Sequence, residues 1–158
     1  MKTFNLEDFI IELDKKNIRY ILIGGQAVTL YGSPVVSFDF DFWIDPLQKK
    51  EFFHIADALD FEYRNESKDK PMVIFYAEEE KLDIFFARRM SAINGKAITF
   101  EECYQKATSL KDPTGFSVRV PYIDDLITLK SCKKKPSAKD LEDIEYLRII
   151  KKAKLPKH

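Results

Sequence analysis

The chain has 158 residues, with 26 Lys plus Arg against 26 Asp plus Glu and a formal net charge of zero. A chain of this length buries roughly 70% of the surface its unfolded form exposes, enough for one domain with its own core, and 45% apolar residues with 13 Phe and 7 Tyr exclude a disordered tail protein. Neutral balance also argues against a protein that coats nucleic acid, whose affinity comes from basic excess, but leaves room for a local basic pocket around a small phosphorylated ligand.

Leu6, Phe9, Ile10 and Leu13 follow helical spacing and predict a first helix ending near Lys16, with Thr3 or Asn5 as its cap. Tyr20–Ile23 reads as a buried strand, broken by Gly24-Gly25, after which Gln26–Tyr31 suits a short helix. Val35–Ile44 reads as a second strand, with Phe38, Phe40, Phe42 and Ile44 on one face and Asp39, Asp41, Trp43 and Asp45 on the other. Asp45-Pro46 then opens a helix carrying Phe52, Ile55, Ala56 and Leu59.

Phe61–Arg64 can form a short strand. Met72–Ala77 and Lys81–Ala87 read as two strands joined by the acidic turn Glu78-Glu79-Glu80. Residues 88–98 carry no clear pattern. Thr99–Ala107 suits a short helix, and Asp112–Gly115 a turn between two extended runs. Two helices follow at about 122–133 and 138–152, the second opened by Ser137 and Asp140 as a variant capping box. Residues 151–158 read as a basic, frayed tail.

Cys103 and Cys132 form no CxxC, and His54 and His158 stand alone, so neither a zinc site nor a disulfide framework is expected. The first residues lead into acidic ones rather than an apolar run, and no stretch reaches membrane-spanning length. A cytoplasmic location is expected.

Asp39 and Asp41, two positions apart on a strand, share a face at roughly 6.6–6.8 Å between Cα atoms. Like charges so placed repel. They suit either a solvated face or a divalent cation such as Mg²⁺, which takes one or two carboxylates plus substrate phosphates. Gly24-Gly25, between a strand and a short helix, suits either a plain turn or a close approach to phosphate.

The combination is more specific than its parts. Ile23-Gly24-Gly25, a spacer over residues 26–38, then Asp39-Phe40-Asp41-Phe42 resembles the signature of the nucleotidyltransferase fold superfamily. Asp83, in Lys81-Leu82-Asp83-Ile84-Phe85, fits that superfamily's third acid. The run Asp125–Lys130 and the later Lys139–Ile144 look like the helical end of its small, mostly prokaryotic members, among them minimal nucleotidyltransferases and abortive-infection toxin relatives. The resemblance covers about residues 18–148.

It implies an α+β fold: a mixed sheet with helices on one side, a metal site at the sheet's edge, and two C-terminal helices within one domain over 1–158 (helical part about 121–152). It further implies Asp39, Asp41 and Asp83 as catalytic and Mg²⁺-holding residues, Mn²⁺ being an alternative. Asp83 would also lower the pKa of an acceptor hydroxyl or take its proton. Gly24, Gly25, Ser37 and Lys130 would meet the nucleotide. For Lys130 and for Lys139 a solvated helix position is the equal alternative. Asp140 and Asp143 are expected to cap and solvate the last helix, and Trp43 to pack in the core.

Many relatives read Arg-x-Thr-x-Asp before the paired acids, where this chain reads Val35-Val36-Ser37-Phe38-Asp39. Ser37 supplies a hydroxyl, but Val35 cannot offer a bidentate fork. Two functions follow. One is transfer of an NMP group from an NTP to a hydroxyl on a protein or small molecule. The other is a catalytically weak member that binds a toxin- or antitoxin-type protein partner. A phosphatase of the haloacid dehalogenase class fits poorly, because Phe42-Trp43 stand where it needs a hydroxyl. A metal-dependent glycosyltransferase usually needs a longer chain.

Overall fold

The computed structural model of the chain describes residues 4–34, 37–92, 94–132 and 135–153. Its centre is a four-stranded mixed sheet in the order β1-β2-β4-β3. The strands are β1 (Tyr20–Ile23), β2 (Phe40–Ile44), β3 (Met72–Ala77) and β4 (Glu80–Phe85). Pairs β1/β2 and β3/β4 run antiparallel, while β2 and β4 run parallel.

One sheet face is built from Tyr20, Leu22, Phe42, Ile44, Val73, Phe75, Leu82 and Ile84. Against it pack α1 (Leu6–Lys15) and α3 (Lys49–Ala58). Their rings meet edge to face: Phe9 lies 5.2 Å from Phe42, and Phe52 lies 5.4 Å from Phe75. Asn5 caps α1 by accepting from the Asp8 amide at 3.0 Å. Thr3 lies outside the described residues.

The other face carries Ile21, Ile23 and Trp43 under Ile98, Phe100, Cys103 and Leu129. These last come from β6 (Ala97–Thr99), α4 (Phe100–Lys106) and α5 (Ile123–Lys130). Helices therefore cover both faces rather than one. Trp43 is fully buried, and its indole N–H donates to the Ala87 carbonyl at 2.8 Å. The hairpin of β5 (Arg89–Ser91) with β6 fills the stretch that shows no sequence pattern. A further hairpin joins β7 (Thr108–Lys111) to β8 (Ser117–Val120) around the predicted turn.

Among the boundaries that differ from the sequence reading, three stand out. Helix α2 spans Gly24–Leu30 and so absorbs both glycines. Strand β2 starts at Phe40, not at 35, because β1 gives way to α2 after Ile23, the partner of Asp41, and no neighbour remains on that side. Phe38 is in consequence 80% exposed. Residues 61–64 make only a bridge between Glu62 and Tyr76.

Helix α6 (Ala138–Ala153) closes the described chain. Ser137 and Asp140 cap it reciprocally: the Ser137 amide donates to Asp140 Oδ2 at 2.9 Å, and the Asp140 amide to Ser137 Oγ at 3.1 Å. Of the basic tail, 154–158 lie outside the described residues.

Candidate active site

Parallel pairing of β2 with β4 sets Asp41 opposite Asp83. Both alternate with buried Phe42, Leu82 and Ile84, so both point to the face that holds Trp43. The row continues to either side, with Ile23 beside Asp41 and Ile74 beside Asp83. The acids thus stand on the two central strands, not on an edge strand. Asp39 sits exposed just before β2 begins.

Crowding two carboxylates on a half-buried face has an electrostatic cost. Burial, then the charge and hydrogen bond of Asp83, then the charge of Asp39 push the Asp41 carboxyl up to about 7, with Lys130 opposing. Asp83 Oδ1 is buried without a hydrogen-bond partner, with Lys81 Nζ 3.4 Å away. A buried carboxylate oxygen held only by the Lys81 ion pair, beside a carboxyl that resists ionising, is an environment a hard cation relieves, and the donor set suits Mg²⁺ or Mn²⁺. Among the described residues, no three His, Cys, Asp or Glu side chains are gathered into a metal cluster. Two carboxylates face each other, Asp39 stands near them, and phosphate oxygens are the natural remaining ligands.

Gly24 explains itself by proximity. Its φ is +72°, and a Cβ there would collide with the Asp41 carboxylate. At Gly25 a Cβ would lie 2.6 Å from Ser37 Oγ and 3.4 Å from Lys139 Nζ. Gly25 backbone, Ser37 hydroxyl and Lys139 ammonium therefore converge on one spot next to Asp41. Gln26 holds this corner by donating to the Ser37 carbonyl at 2.6 Å.

Lys130 is neither solvated nor free. It is 8% exposed, with Nζ 3.1 Å from Asp140 and 2.9 Å from Asp143. Burial lowers its pKa, but the two carboxylates outweigh that and raise it. Asp140 shifts down although burial opposes this, because the Ser137 amide and hydroxyl and Lys130 favour its charged form. Both acids are buried, so the expectation that they are solvated is corrected: Asp140 does cap α6, and the pair joins α5 to α6. Val35, at the position where an arginine is expected, and Val36 beside it lie outside the described residues.

The sequence alone misses a cavity of about 340 Å³ next to Asp41, with Ile23, Gly24, Phe85, Met90 and Leu129 also in its lining. Its lining comes from six elements, β1, α2, β2, β4, β5 and α5, and no local pattern announces it. Among the described residues no helix is long and apolar enough to cross a membrane.

A mixed sheet that presents paired acids beside a glycine bend defines a nucleotidyltransferase-type fold. The chain belongs to the family described as nucleotidyl transferase of unknown function (DUF2204), whose model matches residues 3–157. A search of curated proteins found no match.

Solved structures show the same fold at low identity. The lincosamide antibiotic adenylyltransferase LnuA, bound to lincomycin, is 16% identical with a TM-score of 0.66, covering 95% of this chain and 99% of its own. ANT(2″)-Ia in complex with adenylyl-2″-tobramycin is 15% identical with a TM-score of 0.60, over 91% of each chain. An antigenic nucleotidyltransferase-like protein from Paracoccidioides brasiliensis is 16% identical with a TM-score of 0.56, over 96% of this chain and 76% of its own.

Proposed function

We propose that this chain transfers an NMP group from an NTP to a hydroxyl acceptor and releases pyrophosphate, with Mg²⁺ or Mn²⁺ as cofactor. The observation that carries the proposal is the in-register pair Asp41 and Asp83, with Gly24 pressed against Asp41. Asp41 and Asp83 would hold the metal, with Asp39 contributing its charge from nearby. When bound, the cation supplies positive charge against the phosphate oxygens during in-line displacement at phosphorus.

The remaining work falls to the chain's own groups. Gly25, Ser37 and Lys139 receive the leaving phosphates, since a hydroxyl and a cation meet against the Gly25 backbone there. Asp83 accepts the proton of the acceptor hydroxyl. The acceptor oxygen forms a bond to the α-phosphorus, and the electron pair of the broken P–O bond departs with pyrophosphate. The sheet fixes the approach, so positioning contributes alongside charge. Lys130, engaged by Asp140 and Asp143, borders the site from behind.

The antibiotic adenylyltransferases among the structural neighbours make ATP the first donor to assay and a small hydroxylated molecule the first acceptor class. The test is incubation with each α-labelled NTP and Mg²⁺. Label transfer that falls roughly 10²–10³-fold in Asp41→Asn and Asp83→Asn is expected. No transfer to any acceptor, together with recovery of a stable protein partner from cells, would favour the toxin- or antitoxin-type binding role that the missing arginine suggests.

A further inference from the structure

We propose that Lys81 is a tethered counter-ion of the acid site: its ammonium neutralises Asp83 until a divalent cation takes that place, so that Lys81 regulates metal entry. This rests on the transferase reading, whose metal site it concerns, and adds how that site is held and by what the metal is opposed.

Three observations support it. First, the sheet sets Lys81 among the acids. Lys81 precedes Asp83 by two positions on β4 and so shares its face. The parallel register pairs Phe40 with Leu82 and Asp41 with Asp83. Carried back one residue before the start of β2, the same register brings Asp39 level with Lys81. Three carboxyl groups and one ammonium therefore stand in two rows on one face.

Second, Lys81 answers to more than one of these acids. Its Nζ lies 3.4 Å from Asp83 Oδ1, a buried oxygen that accepts no hydrogen bond. Among the described residues no other cation is ion-paired with Asp83. The charge of Asp83 foremost, and that of Asp39 after it, raise the Lys81 pKa although burial opposes this. A cation between Asp83 and Asp39 is the electrostatic part that a metal would play there.

Third, Lys81 is free to withdraw. Its side chain is 41% exposed, against 20% for Asp83, and a lysine ammonium is a point charge on a flexible stem. An ion pair this open to water is weak, whereas Mg²⁺ carries twice the charge and prefers carboxylate oxygen. The two cations repel each other at such separations, so one excludes the other. Lys130 has no such freedom, being buried between Asp140 and Asp143.

The test titrates Mn²⁺ into the full-length protein without nucleotide and reads free Mn²⁺ by electron paramagnetic resonance. Lys81→Met is expected to bind Mn²⁺ about 3–10-fold more tightly than the parent. Lys81→Arg keeps the charge and is expected to bind no more tightly than the parent. Lysine acetylation of the folded parent, read by mass spectrometry, then follows the ammonium itself. Saturating Mg²⁺ is expected to speed labelling of Lys81 severalfold and to leave Lys50, exposed on α3, unchanged. Equal or weaker Mn²⁺ binding by Lys81→Met overturns the proposal, and so does a Lys81 labelling rate that Mg²⁺ does not change. Both of those results leave the transferase reading intact. If neither the parent nor Lys81→Met binds Mn²⁺, the proposal falls, and the label-transfer assay decides the transferase reading separately.

Discussion

Asp41 and Asp83 stand opposite each other across a parallel strand pair, and after burial the charge of Asp83 is what most raises the Asp41 carboxyl, to about 7. The folded protein thus binds a proton on Asp41 where an unfolded chain, with an ordinary value of 3.8, has lost it. The sign follows from linkage. Asp41 is protonated in both states below about 4, and its contribution to stability declines as pH rises from there through about 7. Mg²⁺ competes with that proton, so the melting temperature is predicted to rise more on adding Mg²⁺ at pH 8 than at pH 5.5. Asp41→Asn should melt higher than the parent at pH 8 without metal and lose the Mg²⁺ response. A metal shift of the same size at both pH values would count against the assignment.

Gly24→Ala tests the contact behind the glycine bend. The left-handed φ and the collision with the Asp41 carboxylate act together, and such strain typically costs about 1–3 kcal/mol. Chemical denaturation should show a loss of that size. Asp41→Ala on the same background should recover part of it, since the collision is then gone, although the backbone strain stays.

Lys130→Met would leave Asp140 and Asp143 buried without their cation. Breaking a buried pair from one side costs about 3–5 kcal/mol. The triple variant Lys130→Met, Asp140→Asn, Asp143→Asn should be substantially more stable than Lys130→Met alone. If the single and triple variants denature together, the three side chains do not act as one unit.

Lys139→Ala and Ser37→Ala address the phosphate corner, where both side chains approach Gly25. Lys139 is exposed, so its removal should change stability by less than about 0.5 kcal/mol. Each substitution should weaken tripolyphosphate and NTP binding together. Weakening of the NTP alone would place the residue at the nucleoside instead.

Local pattern made much of this fold legible. Tyr20–Ile23 is buried throughout, as an uninterrupted apolar run suggests, and Phe9, Ile10 and Leu13 form the buried stripe of α1. The Ser137/Asp140 capping signal also corresponds to two hydrogen bonds. Alternation misled at Phe38, where the strand had already lost its neighbour.

The site was legible in part. Alternation put Asp41 on the face of Trp43, but Asp83 reaches Asp41 only through a parallel pairing that no nearby residues encode. The resemblance supplied that link. Lys130 was ambiguous because a lysine at a helix end is ordinarily solvated, and its two buried partners lie in the next helix. The β5/β6 hairpin escaped because its three-residue strands are too short to establish a period.

The staple between α5 and α6 has a consequence for biosynthesis. Gly24, Asp41 and Asp83 leave the ribosome early, but the lysine at position 130 is uncompensated until positions 140 and 143 have emerged. Because chains are made from the N-terminus onward, a stalled nascent polypeptide ending between those positions carries the acids without a settled wall behind them. The wall behind the acids is thereby completed only after residues 140 and 143 have been made.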